Sequence, residues 1–381
     1  MLEIHGTNDP RFAGVREAFA ANFAPGRVDG GDIGANVCVT LAGETVVDLW
    51  AGHADAAQTR PWQRDTIVNV YSTTKTMTAL TALLLADRGE LVFERPVAHY
   101  WPEFAAGGKA DVTVAQLMSH SAGLSGFKAT VGKTDLYDWD KITSLLAAQE
   151  PFWTPGTAPG YHAITQGYLV GEVVRRITGK SLGTVFRTEI AEPLDADFHI
   201  GLPASEDDRV AELIPPPKGG TIADVSDRPL TANMATNPAV DPRETRTRAW
   251  RGAEIPAANG HGNARSVAEI QTVLANGGVS KGKRILSEAG ARRALEPQIA
   301  GDDLVLGIPV SYGLGYGLPG GALPLPNPNS CFWGGYGGSI VIVDMDARLC
   351  IAYAMNKMAA TTVGDLRAFG LAMASWQALA A

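Results

Sequence analysis

The stretch Val70-Tyr71-Ser72-Thr73-Thr74-Lys75-Thr76-Met77-Thr78-Ala79-Leu80 (VYSTTKTMTAL) sets a serine and a lysine three residues apart where a helical pattern begins. Met77, Leu80, Leu84 and Leu85 form an apolar face and Gly89 marks a stop, so a helix is expected from Ser72 to Gly89. At a helix start, residues i and i+3 share a face, so the Lys75 amine can approach the Ser72 hydroxyl, while the helix dipole favours negative charge nearby. Two readings follow: a capping serine with a solvated lysine, or a nucleophile with its base. The second needs a partly buried lysine whose pKa falls toward roughly 7 to 8, because a serine hydroxyl attacks only once a base takes its proton.

The same spacing recurs at Ser125 to Lys128 and Ser280 to Lys283, so Ser-x-x-Lys alone selects nothing. Context does. Ser125 lies in glycine-flanked GLSGFK and Ser280 in the turn GGVSKGKR, and only Ser72 opens an apolar-periodic helix.

Outward from this helix, NVCVTLAGETVVDLWAG reads as a β-hairpin about Ala42-Gly43-Glu44. Before it, Asp9-Pro10 and the spacing of Phe12, Val15, Phe19 and Phe23 predict an opening helix stopped by Gly26. At the other end, GSIVIVDMDARLCIAYAMN predicts two strands about Met345-Asp346-Ala347-Arg348, followed by a closing helix. The middle mixes helical runs with two long irregular stretches, 214–262 and 301–330, rich in Pro, Gly, Asn and Asp; loops of that length suit a site-covering role. The expected fold is therefore α+β, an antiparallel sheet built from both chain ends and flanked by terminal helices. Residues 1–90 and 295–381 would form the sheet domain and 91–294 an inserted, mainly helical domain, with a cleft between them.

The 381 residues carry a formal net charge of -8 with no basic cluster, which argues against a nucleic-acid or anionic-membrane partner. No segment reads as a signal peptide or a bilayer span, so a cytoplasmic protein is expected. Cys38, Cys331 and Cys350 read as buried free thiols, and the seven histidines include no His-x-x-x-His pair, so neither a metal nor another cofactor is expected.

In chain order, STTK at a helix start, LMSHSAGL, GYHAITQGYLVGEVV and FWGGYGGSIVIV together resemble the serine β-lactamase and penicillin-binding protein superfamily, and within it the family VIII carboxylesterases related to class C β-lactamases. The likeness spans most of the chain. It implies that Tyr161, in Tyr161-His162-Ala163, stands beside Ser72 and Lys75 and shuttles protons with the lysine. It also implies an oxyanion hole from the backbone N–H groups of Ser72 and Tyr336. Two departures from the β-lactamase pattern bear on substrate. Trp333-Gly334-Gly335 replaces the Lys-Thr-Gly that would hold a lactam carboxylate, and Tyr161-His162-Ala163 lacks the family's asparagine. Both losses point toward neutral esters bound against Trp333, Gly334 and Gly335, with His162 facing the acyl or alcohol group and His120 bracing a loop.

Two other motifs are set aside. Gly179-Lys180-Ser181-Leu182-Gly183 fits the α/β-hydrolase elbow, but a helical run ended by Gly179 precedes it and Ser181 reads as a helix cap. Gly315-Tyr316-Gly317-Leu318-Pro319-Gly320 leads into no helix that could receive a pyrophosphate. The expectation is a cofactor-free serine hydrolase of short-chain carboxylic esters, acting on a small-molecule ester with weak or no β-lactamase activity. The alternatives are a β-lactamase, DD-peptidase or acyltransferase of the same fold, or a non-catalytic ligand-binding relative.

Overall fold

A computed structural model describes residues 2–25, 27, 31–216, 227–321, 323–361 and 364–380. Gly26 and residues 217–226 of the first irregular stretch lie outside them. The two chain ends meet in one sheet. Strands β1 (Ile4–Asn8), β2 (Gly34–Leu41) and β3 (Glu44–Gly52) come from the first end. After the short strands β4 (Val68–Asn69), β5 (Phe198–His199), β6 (His261–Gly262), β7 (Val279–Ser280), β8 (Lys283–Arg284), β9 (Ile299–Asp302) and β10 (Pro309–Tyr312), the second end supplies β11 (Ser330–Gly334), β12 (Ile340–Asp344) and β13 (Leu349–Met355). The six-stranded order is β1-β3-β2-β13-β12-β11, joined at its centre by antiparallel β13–β2 pairing.

Local chemistry explains the hairpins. The β2–β3 turn places Ala42 at φ +52° and Gly43 at φ +93°, the two left-handed residues of a tight turn whose twist matches its strands. Between β12 and β13, the Asp344 carboxylate accepts the Ala347 N–H at 2.9 Å. Strands β2 and β13 are buried almost throughout because both faces of the sheet are covered. Thr40 on one face meets Thr272 at 2.6 Å, while Tyr353 on the other donates to Asp32.

The helices are α1 (Ala13–Asn22), α2 (Lys75–Asp87), α3 (Val114–Met118), α4 (Trp139–Ala148), α5 (Thr165–Thr178), α6 (Leu182–Phe186), α7 (Pro229–Thr236), α8 (Arg248–Gly252), α9 (Ala264–Ala275), α10 (Glu288–Arg292) and α11 (Leu366–Ala380). The terminal helices α1 and α11 pack together on the Tyr353 face, and α9 covers the Thr40 face. Helix α2 packs against α5, α6 and α10 and is buried on every side from Lys75 to Leu85, where the apolar pattern suggests one face.

The division at residues 90 and 294 thus sorts α2 with the sheet although it lies among the inserted helices. It likewise sorts α9 with the inserted segment although it lies on the sheet. The two irregular stretches also contain α7, α8, β10 and the end of its partner β9. Gly315 (φ +89°) brings its loop onto α2, where an added Cβ would stand 2.4 Å from that of Ala79.

Candidate active site

Ser72 sits in a single 3-10 turn, Tyr71–Thr74, that runs directly into α2. Side chains at i and i+3 eclipse in that geometry. Lys75 Nζ accordingly lies 3.0 Å from Ser72 Oγ, and the serine caps nothing, because no side chain caps either helix start. The turn is entered through Tyr71 at φ +44°, a costly conformation for a residue with a Cβ. It is tied down on two sides. Val70 N–H donates to Gly260 O at 3.0 Å and Gly260 N–H to Thr74 Oγ1 at 2.9 Å, while Ser339 Oγ donates to Val70 O at 2.8 Å.

Lys75 is fully buried, and among the described residues it forms no ion pair. Its amine instead meets two carbonyl oxygens, Ala163 O at 2.7 Å and Ala257 O at 3.0 Å. Gly167 lets these segments converge, since a Cβ there would stand 2.4 Å from Ala257 N. Desolvation holds the Lys75 pKa well below its ordinary value. Two carbonyl oxygens and the Ser72 hydroxyl thus surround the amine, with Nζ donating to each.

The Tyr161 hydroxyl donates to Ser72 Oγ at 2.6 Å. Burial raises the phenol's pKa above the ordinary tyrosine value, and hydrogen bonding with Ser72 and Trp333 pulls the other way. The backbone of Tyr161 is held by Asp303, a residue that carries no motif. One carboxylate oxygen accepts from Tyr161 N–H at 3.1 Å and from Val305 and Leu306 N–H at 2.8 Å each, and the other accepts from Tyr312 OH at 3.0 Å. Its stretch, GDDLVLG, reads as an ordinary turn, and only the folded loop aims it at Tyr161.

The structure corrects the reading of His162 as a substrate-facing side chain. The ring is fully buried, its Nδ1 is 2.6 Å from Gly160 O, and its Nε2 accepts Leu124 N–H at 3.0 Å. With both nitrogens held by backbone groups, none remains for a substrate. Burial depresses its pKa to about 4. His120, at φ +57°, accepts the His162 N–H at 3.1 Å and stacks on Trp333 with centroids 5.1 Å apart. Trp333 is therefore boxed by His120, Tyr161 and Tyr312. At Gly335, a Cβ would lie 2.2 Å from Val70 O, so this end of β11 packs directly on the Ser72 turn and brings the Tyr336 backbone beside it.

The other serines lie elsewhere. Ser181 caps α6 through Thr184 N–H and donates to Glu254 at 2.6 Å. Lys128 pairs with Glu150 in solvent rather than with Ser125, and Ser280 donates to Glu269 O at 2.6 Å. All three cysteines are unpaired, and burial raises their thiol pKa values, which suppresses the reactive thiolate. Among the described residues no three His, Cys, Asp or Glu side chains are grouped to hold a metal, and no helix is long and apolar enough to cross a membrane.

The chain and its fold have known counterparts. A family VIII carboxylesterase of known structure superposes with a TM-score of 0.92 at 46% identity, covering 99% of this chain and 100% of its own. A penicillin-binding protein homolog from Caulobacter crescentus gives 0.89 at 38% identity, covering 99% and 100%. The esterase/beta-lactamase LipL of Mycobacterium tuberculosis is 38% identical over 380 residues, which is 93% of this chain and 83% of that protein. The β-lactamase family profile matches residues 19–372, and with the sheet, the inserted helices and the Ser72 turn in place the chain belongs to the β-lactamase family.

Proposed function

We propose that the protein hydrolyses carboxylic esters with short acyl groups through an acyl-serine intermediate formed on Ser72. The observation that carries the roles is the environment of Lys75: an amine with no ion-pair partner among the described residues, desolvated, and hydrogen-bonded to two carbonyls and to the Ser72 hydroxyl, from which its neutral form can take a proton. Ser72 Oγ bonds to the ester carbonyl carbon as its proton passes to Lys75. The N–H groups of Ser72 and Tyr336 hold the oxyanion. The proton then moves through Tyr161 to the leaving oxygen, the carbon–oxygen bond breaks, and the alcohol departs. Water, deprotonated by the same pair, attacks the acyl-serine, and the acid leaves as Ser72 regains its proton.

Trp333 favours esters over β-lactams, because an indole offers bulk and one neutral donor where a lysine would bind a carboxylate. The esterases among the relatives support the same substrate class. Unpaired thiols at Cys38, Cys331 and Cys350 suit a reducing compartment, and we place the protein in the cytoplasm on that ground. Labelling with a fluorophosphonate followed by mass spectrometry should put the adduct on Ser72. Ser72→Ala should abolish p-nitrophenyl butyrate hydrolysis while Ser181→Ala keeps most of it; an adduct on Ser181, or a dead Ser181→Ala, contradicts the assignment. Product beyond one equivalent per enzyme separates a catalyst from a ligand-binding relative.

A further inference from the structure

Strand β11 ends the six-stranded order, its Phe332 backbone bridged to Gly317 by two 3.0 Å hydrogen bonds, and a cavity of about 540 Å³ is lined by residues from both of its faces. Alternation along β11 puts Trp333 on one face and Phe332 on the other, where Phe332 pairs with Ile342, yet all three line the same space. At its inner end stand Tyr161 and Trp333, each 6% exposed. At its outer end, where the sheet meets α11, stands Leu366, 72% exposed. Leu306, Ile308 and Val310 are among the apolar side chains that line its wall. The charged side chain on it, Asp365, is held by Arg367 at 3.0 Å.

We propose that this cavity receives the alcohol portion of the ester, and that the preferred alcohol is neutral, apolar and of medium chain length. The inference rests on the roles given above to Ser72, Lys75 and Tyr161. In that mechanism Tyr161 hands the proton to the leaving oxygen, so that oxygen must reach hydrogen-bond distance of the phenol, itself 2.6 Å from Ser72 Oγ. The chain attached to the leaving oxygen then lies on the Tyr161 side, where the cavity begins. The carbonyl oxygen faces the Ser72 and Tyr336 N–H groups instead, which directs the acyl group away from Tyr161. At about 30 Å³ for a water-sized group, the cavity has room for well over eight carbon atoms. A charged alcohol would find no free counter-charge on the described wall.

Two ester series distinguish the limbs: acetates of methanol, butanol and octanol, and ethyl esters of acetic, butyric and octanoic acid, each followed by acid release in a pH-stat. Burying one methylene is worth at most about three- to fourfold in kcat/KM. A gain of at least about 30-fold from methyl to octyl acetate is expected, with little gain along the acyl series. Leu366→Asp changes an exposed position, so the fold should hold; it should lower kcat/KM for octyl acetate about tenfold and leave methyl acetate unchanged. A flat alcohol series, a gain confined to the acyl series, or equal loss on both acetates in Leu366→Asp overturns the cavity assignment while ester hydrolysis stands. Failure to hydrolyse any ester overturns the mechanistic reading itself, and the cavity assignment with it.

Discussion

Replacing Lys75 by methionine tests the mechanism at its most specific point. Methionine has nearly the length of lysine and no charge, so it fills the enclosed site while removing the amine that stands 3.0 Å from Ser72 Oγ. Losing a general base costs about 100- to 10,000-fold in kcat, or about 2.7 to 5.5 kcal/mol of barrier. The Ala163 and Ala257 carbonyls lose their donor, at about 1 to 3 kcal/mol each, offset in part because an amine is costly to bury. A lower melting temperature with retained folding is therefore expected, which circular dichroism can follow. Lys75→Arg is a harsher test, since guanidinium stays protonated and would be buried without a carboxylate. The assay is kcat/KM for p-nitrophenyl butyrate between about pH 5 and 9. In the wild type only the neutral amine accepts the serine proton, so the rate should fall as pH drops through a Lys75 pKa held well below 10.5. A folded Lys75→Met variant within tenfold of wild-type kcat, or a wild-type rate that still rises about tenfold per pH unit at pH 9, would refute the reasoning.

Three further outcomes are expected. On the proposed reading that Trp333 takes the place of a β-lactamase lysine, benzylpenicillin loses a charge-assisted contact of about 1.5 to 3 kcal/mol; its kcat/KM should fall well below that of p-nitrophenyl acetate, and comparable values would favour a β-lactamase. Asp303→Ala strips the acceptor from Tyr161, Val305 and Leu306 N–H and from Tyr312 OH. It should lower stability by about 3 kcal/mol and, where still folded, reduce kcat more than it raises KM, whereas a change in KM alone would remove Asp303 from the positioning of Tyr161. His162 and His261 are buried neutral, with pKa values depressed by desolvation to about 4 and about 3. The unfolded chain binds those protons from about pH 6.5 downward, so stability is full above that pH and lost as pH falls toward 4, by about 3 kcal/mol for His162 alone. Urea midpoints that stay flat from pH 7 to 4 would show that these rings are not held neutral.

How much of this could be read in advance depends on distance along the chain. Ser72 and Lys75 are three residues apart, and any helical turn puts such side chains together, so their proximity is a local property that VYSTTKTMTAL determines by itself. The β2–β3 and β12–β13 hairpins are local in the same sense, as is the capping role of Ser181. Strand β1 has no such signature, because it lies at a sheet edge with most side chains in solvent and shows no apolar alternation. The full burial of α2 was equally hidden, since it follows from helices that pack on every side of it. The orientation of His162 is not legible in the sequence, because adjacency to Tyr161 cannot say which way a ring turns, and the loop around Gly160 and Leu124 turns it inward. Tertiary structure alone brought Asp303 under Tyr161 across 142 residues and Ala257 O onto Lys75 across 182. Each of those contacts joins a backbone group to a distant partner, and backbone groups are the same at every position. The pairing therefore leaves no mark in composition or periodicity and exists only once the loops are folded against one another.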